Sequence, residues 1–179
     1  MERKSIAKML AALEGIKFEP KELVDNWILL TYDLPAGKVG GAARYQFLKQ
    51  VPKLGAVMHT SSVYLIPWSE QAEIAALQVT KAGQAFLWTA QVKEEEKQKE
   101  LTELYDSTIK KRIDDIYDRI KRIKEHQSKG EDRPANRMIK KTGELLEDIV
   151  TAATRRNSIT MLSQAITLYK ELLKLNEES

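Results

Sequence analysis

The stretch from Asn26 to Pro67 constrains the fold most, because it alternates apolar runs with clear turn signals. It opens with a nearly continuous apolar run, Trp27 to Tyr32, which is typical of a strand that is covered on one face and partly on the other. Pro35 ends this strand, since proline cannot donate a hydrogen bond to a sheet ladder. Asp33 follows the strand directly, at the carboxyl end where ligands bind in open sheets.

The next elements read as a helix and a hairpin. Residues 42–51 have apolar side chains at helical spacing, and Pro52 ends that helix or kinks its last turn. Residues 56–60 and 62–66 alternate well enough to predict two paired strands. The predicted turn between them is Thr60-Ser61.

A second helix and a last strand complete this part of the chain. Ser69 is a suitable N-cap, and Ile74, Leu77 and either Ala72 or the stem of Lys81 are predicted to face inward. Residues 84–92 predict the last strand. The order strand, helix, strand, strand, helix, strand predicts an α+β, ferredoxin-like βαββαβ domain over residues 24–93. Its four-stranded antiparallel sheet carries both helices on one face.

The rest of the chain is predicted to be helical. Residues 1–23 predict an N-terminal helix that packs on the main domain; the alternative is an arm whose Arg3, Lys4 and Lys8 touch nucleic acid. Residues 94–179 predict a helical extension. The extension divides into three helices at about 97–126, 135–155 and 158–176. The first of them contains isoleucines at alternating spacings of four and three, namely Ile109, Ile113, Ile116, Ile120 and Ile123. Such a seam predicts packing against a neighbouring helix or a second copy.

Composition excludes several functional classes. The chain of 179 residues contains no cysteine, which excludes disulfides, thiolate zinc sites and a cysteine nucleophile. No apolar run approaches the roughly 20 residues that span a bilayer, and no signal-type cleavage region begins the chain. We therefore expect a cytoplasmic protein without a membrane partner.

Three motifs suggest a family. The stretches WILLTYDLPAG, ARYQFLKQVPKLGAV and SSVYLIP resemble the N-terminal domain of the chromate-resistance regulator ChrB, over about residues 26–126. More distantly, the pattern is similar to the small CRISPR adaptation subunit and to the middle domain of PaaX-type repressors. The ChrB resemblance implies a regulatory or nucleic-acid-associated protein, linked to chromate resistance, that is not an enzyme.

The chain departs from the ChrB pattern in two respects. Its first helix is poorer in arginine, with only Arg44, Lys49 and Lys53 where the family is arginine-rich. It also ends after the helical region, without the larger C-terminal domain of full-length ChrB. Both departures weaken the link to chromate.

Asp33 is the strongest single candidate for a metal-binding or catalytic residue. The resemblance to the CRISPR adaptation subunit implies that Asp33 binds Mg or Mn across a dimer interface, which makes a metal-dependent nuclease the alternative function. The competing interpretation is an Asp that caps the turn before Leu-Pro. One carboxylate per chain is a sparse site for magnesium, so we expect no cofactor.

Basic residues concentrate on the first helix of the extension. Residues 110–124 contain seven Lys or Arg and three Asp. Such a stripe predicts contacts with DNA phosphates that weaken as salt rises. The candidate nucleic-acid-binding residues are Arg44, Lys49, Lys110, Lys111, Arg112, Arg119 and Arg122, and Lys140-Lys141 and Arg155-Arg156 extend the surface. The alternative is a solvated face with the helical pairs Asp115–Arg119 and Asp118–Arg122.

These observations leave three functional hypotheses. The first is a non-enzymatic, ChrB-like protein that binds DNA, and the second is the nuclease that uses Asp33. The third is a protein-interaction module whose helical region docks a partner. The open face of the sheet is apolar and needs a cover, which either a second subunit or the helical extension could supply. We expect a homodimer in each case.

Overall fold

The computed structural model of the chain describes residues 23–32, 41–80 and 85–177. The predicted N-terminal helix and Asp33 lie outside the described residues. So do Lys81 and Gln84, the latter being the residue with which the last predicted strand begins.

The first part of the chain forms a four-stranded antiparallel sheet with two helices, which confirms the predicted α+β class. The strand order across the sheet is β2-β3-β1-β4. In chain order the elements are β1 (Asn26–Tyr32), α1 (Gly41–Gln50), a 3-10 segment (Val51–Leu54), β2 (Val57–Thr60), β3 (Val63–Pro67), α2 (Glu70–Thr80) and β4 (Ala85–Gln91).

β1 lies in the interior of this sheet, between β3 and β4. Trp27 pairs with Pro67 of β3 on one side and with Ala90 of β4 on the other. Successive side chains of a strand point to opposite faces. Ile28 and Trp27 are both fully buried, so both faces of β1 are covered, which explains its continuous apolar sequence.

α1 and α2 pack on the same face of the sheet, as expected. Their buried side chains include Phe47 from α1 and Ala72 and Ala76 from α2. The prediction that Ile74 and Leu77 face inward is wrong, because these side chains are 53% and 44% exposed. The two alanines let α2 lie close to the sheet, so small residues rather than large ones mark its buried face. The Ser69 cap is confirmed, since its hydroxyl accepts the Ala72 N–H at 3.2 Å.

The hairpin turns one residue later than predicted. Ser61 and Ser62 form the turn, and Thr60 pairs with Val63. The register shifts between Met58 and Thr60, so β2 contains an irregularity that the simple alternation of its residues does not reveal.

The helical C-terminal region is confirmed and consists of α3 (Glu95–Ser128), α4 (Asp132–Arg156) and α5 (Ile159–Glu177). The five seam isoleucines of α3 are all buried. They pack against α4 and α5, so the seam is covered by neighbouring helices of the same chain. We call α3, α4 and α5 the bundle. At about 51 Å, α3 is long enough to reach from the sheet to the far end of the bundle.

The bundle also covers the second face of the sheet, but only in part. Trp27, Val57 and Leu65 belong to the same core as the seam of α3. On β4, by contrast, Phe86 and Trp88 remain 58% and 57% exposed. The helical extension therefore supplies one part of the expected cover and leaves another part open.

One contact joins the sheet domain to the bundle at close range. The buried hydroxyl of Tyr105 donates to the Gly55 carbonyl at 2.5 Å and also lies 3.3 Å from the Ala152 carbonyl. Gly55 has a φ of +75°, and a Cβ there would lie 2.9 Å from the Ala152 Cα. Nearby, Arg156 makes a bidentate ion pair with Asp106, at 2.8 and 3.1 Å, and is only 8% exposed.

Replacing Gly55 with Ala should lower the free energy of unfolding by about 2–4 kcal/mol, because the new Cβ adds a clash with α4 to the cost of a left-handed backbone. Gly130→Ala is the matched control. Gly130 has a φ of +70°, but a Cβ there would meet nothing within 4 Å, so a loss of about 1 kcal/mol is expected. Urea unfolding of both variants measures the difference, and equal losses would contradict the close approach.

Candidate nucleic-acid interface

A groove runs along the junction where the 3-10 segment, α3 and α4 meet. It consists of two adjoining cavities of about 670 Å³ and 260 Å³, which share Arg119, Leu145 and Asp148. We call it the junction groove. Its cationic lining residues are Lys49, Lys53, Arg112, Arg119 and Lys141.

Local sequence explains one part of this convergence, and the packing of the elements explains the rest. Arg112 and Arg119 are seven residues apart, which places them on the same side of α3, beside the buried isoleucine seam. Pro52 stands in the first turn of the 3-10 segment, which packs against α4 and carries Lys53. Lys141 lies in the first half of α4. With Lys49 at the end of α1, four elements thus contribute positive charge to one surface.

The cations of the junction groove are not neutralised by direct ion pairs with the described residues. Arg112 donates from Nη2 to the Ala56 carbonyl at 3.2 Å, which holds its guanidinium without cancelling its charge. The helical pairs Asp115–Arg119 and Asp118–Arg122, which the alternative interpretation expected, are not formed among the described residues either.

Carboxylates also line the junction groove and moderate its charge. They are Asp115, Glu144, Glu147 and Asp148. Asp148 is half-buried, and its burial raises the pKa of the carboxyl from 3.8 to about 6, although Arg112 and Lys53 act to lower it. The groove therefore gains positive charge as the pH falls through about 6.

The structure brings together only some of the predicted phosphate-binding residues. Lys49, Arg112 and Arg119 line the junction groove, whereas Lys110, Lys111 and Arg122 are exposed on α3 and do not line it. Arg44 lies elsewhere, with its guanidinium 5.9 Å from the centre of the Tyr32 ring.

Lys53 was absent from the candidate nucleic-acid-binding residues, and Lys141 was expected only as part of an extension of the basic surface. No local pattern places either one beside α3. Their position depends on the packing of the 3-10 segment against α4.

Arg155 and Arg156 do not extend the basic surface. Arg156 is buried against Asp106, and Arg155 donates to the Ser69 hydroxyl at 3.2 Å. The Arg155 Nε is buried without a hydrogen-bond partner among the described residues, and burial lowers the pKa of this guanidinium. Both side chains border a separate cavity of about 590 Å³ at the end of β3.

The metal prediction is not addressed by the described part of the chain, because Asp33 lies outside it. Across residues 23–32, 41–80 and 85–177, no three His, Cys, Asp or Glu side chains are grouped so that they could hold a metal ion. His59 is exposed, and His126 contacts Glu131.

Comparisons with protein-family models, with curated proteins and with solved structures find no match. The resemblance to ChrB therefore depends on the sequence motifs alone. In the described parts of the chain, no helix combines the length and the apolar character needed to cross a membrane.

Asp148→Asn should raise the free energy of unfolding at pH 8 by about 1–2 kcal/mol. The folded-state pKa lies above the unfolded value, so the ionised carboxylate costs stability above pH 6, and that cost disappears as the pH falls towards 4. Denaturant unfolding at pH 8 and pH 4 measures the gain, which should vanish at pH 4.

The control for this variant is Glu147→Gln, on the adjacent exposed position, for which a change within about 0.5 kcal/mol is expected at both pH values. A loss of stability in Asp148→Asn at pH 8 would show that the ionised carboxylate is stabilising.

Proposed function

We propose that this protein binds DNA, with a regulatory and non-enzymatic role, and that the junction groove contacts the phosphate backbone. The observation that supports the proposal is the convergence of five cations from four elements on one groove, without ion pairs among the described residues. The regulatory part of the proposal rests on the resemblance to ChrB, and the link to chromate has no other support.

Phosphate binding suits this arrangement for physical reasons. Cations that contact phosphates release condensed counterions, and this release drives binding. Arg112 and Arg119 are half-buried on a well-packed helix, so little side-chain entropy remains to be lost when they bind. The four carboxylates nearly balance the five cations, so we expect moderate affinity at neutral pH. Contacts to phosphates position a protein without reading the sequence, and the groove by itself specifies no operator.

The variant Lys53→Gln/Arg119→Gln/Lys141→Gln should weaken binding to duplex DNA and reduce the slope of log K against log salt by about 2–3. Fluorescence anisotropy over a salt series measures both quantities. The matched control, Lys110→Gln/Lys111→Gln/Lys121→Gln, removes the same charge from the exposed surface of α3 and should retain a slope within about one unit of the wild type.

Equal losses in the two triple variants would locate binding outside the junction groove, and no binding of wild type at low salt would overturn the proposal. A parallel incubation with Mg or Mn tests the non-enzymatic part. The DNA should remain intact, and cleavage that is lost in Asp33→Ala would favour the nuclease instead.

The affinity for DNA should rise about two- to fivefold between pH 7.5 and pH 5.5, because protonation of Asp148 removes one negative charge from the groove. In Asp148→Asn the affinity should already be raised at pH 7.5 and should change less with pH. Both proteins contain the same two histidines, so the difference between them isolates Asp148. If the affinity of both proteins changes equally with pH, Asp148 does not contribute to the DNA interface.

A further inference from the structure

β4 is an edge strand that lacks the usual protection against pairing. It pairs along its whole length with β1, and among the described residues no strand lies on its other side. Its sequence, AFLWTAQ, contains no charged residue, although 31% of the chain is charged. Natural edge strands commonly carry lysine, proline or a bulge that discourages added strands. β4 has none of these features, which points to an additional partner strand.

The direction of the backbone groups of β4 can be read from one hydrogen bond. The Val92 N–H donates to the Asp25 carbonyl at 2.8 Å, so Val92 turns its backbone towards the β1 side. In an antiparallel pair this direction alternates from residue to residue. Phe86, Trp88 and Ala90 therefore also face β1. The N–H and C=O groups of the remaining residues, Ala85, Leu87, Thr89 and Gln91, face the free edge.

The side chains of β4 add an apolar surface beside that edge. Phe86 and Trp88 project from the sheet face that the bundle leaves open, and more than half of each side chain is exposed. The Trp88 Nε1 donates to the Thr31 hydroxyl at 3.2 Å, which directs its ring along β1. A strand added at the edge would cover part of this surface.

We propose that the strand added to β4 is the β4 of a second copy, in antiparallel orientation, with Trp88 on the twofold axis. In this register Ala85 lies opposite the partner's Gln91, and Leu87 lies opposite the partner's Thr89. All four outward-facing residues of each copy then form hydrogen-bonded pairs. Trp88 meets the partner's Trp88 in a non-hydrogen-bonded pair, where cross-strand side chains approach most closely. The two sheets join into one of eight strands.

A second copy suits this edge because an antiparallel pairing of identical strands is self-complementary. Each copy offers the same donors and acceptors at the same spacing, and no charged side chain on β4 opposes the approach of another. The contact also stops at two copies, because each copy has one β4 edge and the pairing occupies it in both. The opposite edge of the sheet is less suitable, because β2 is short and its register is irregular.

Disulfide trapping tests the register directly, because the wild-type chain contains no cysteine. Cross-strand residues in a non-hydrogen-bonded pair lie within disulfide distance. Trp88→Cys should therefore give a covalent dimer under mild oxidation. Met58→Cys, on the exposed part of β2, is the control and should remain monomeric. Equal cross-linking of the two variants would overturn the proposed interface.

Sedimentation of the cysteine-free protein provides a test that needs no change at Trp88. The wild type should be dimeric at about 100 µM, a concentration at which a specific interface of ordinary size is occupied. Thr89→Lys places a charge on the edge strand and should weaken dimerisation by at least about tenfold. Thr60→Lys adds the same charge to β2 and should behave like the wild type.

A monomeric wild type at this concentration, or equal dissociation of the two lysine variants, would refute the dimer. Capture of an unrelated strand at β4 by a monomeric protein would refute it equally. None of the residues changed in these experiments lines the junction groove, so the outcome is independent of the DNA-binding proposal.

Discussion

The close approach of Gly55 to Ala152 is the contact on which the arrangement of the two parts of this molecule depends. Gly55 ends the 3-10 segment in a left-handed conformation, and the absence of a side chain lets its backbone lie against α4. Tyr105 donates its hydroxyl to the same glycine and so attaches α3 to this contact. Because Tyr105 is buried here, its hydroxyl needs this acceptor, and the hydrogen bond makes the joint specific.

The junction groove and the open part of the sheet are both consequences of this joint. It places the 3-10 segment beside α3 and α4, where Lys53, Arg119 and Lys141 meet. It also seats the bundle over Trp27, Val57 and Leu65, while Phe86 and Trp88 on β4 remain exposed. The junction groove and the exposed aromatic side chains of β4 therefore result from a single docking geometry, although the proposals of DNA binding and of self-association that involve them are independent.

Local patterns were sufficient to predict the order of elements and much of the core. The apolar run of β1, the Ser69 cap and the isoleucine seam of α3 are short-range signals, and the structure agrees with each of them. The inward face of α2 was predicted only in part: Ala72 was among the expected residues, but hydrophobicity favoured Ile74 and Leu77, whereas close packing on the sheet selects small residues. Of the groove, Arg112 and Arg119 could be predicted from charge, but the side of α3 on which a groove would form could not.

The order of the helices and strands, the α+β class and the stripe of charge along α3 can be predicted from the sequence, since each depends on residues that are near one another in the chain. Which cations share a surface, and which apolar residues stay exposed, depends on how the elements pack. Contacts such as Gly55 with Ala152 join residues almost a hundred positions apart, and they depend on backbone shape and side-chain volume rather than on a repeating pattern. For the same reason, the burial that raises the pKa of Asp148 follows from docking and has no signature in the neighbouring sequence.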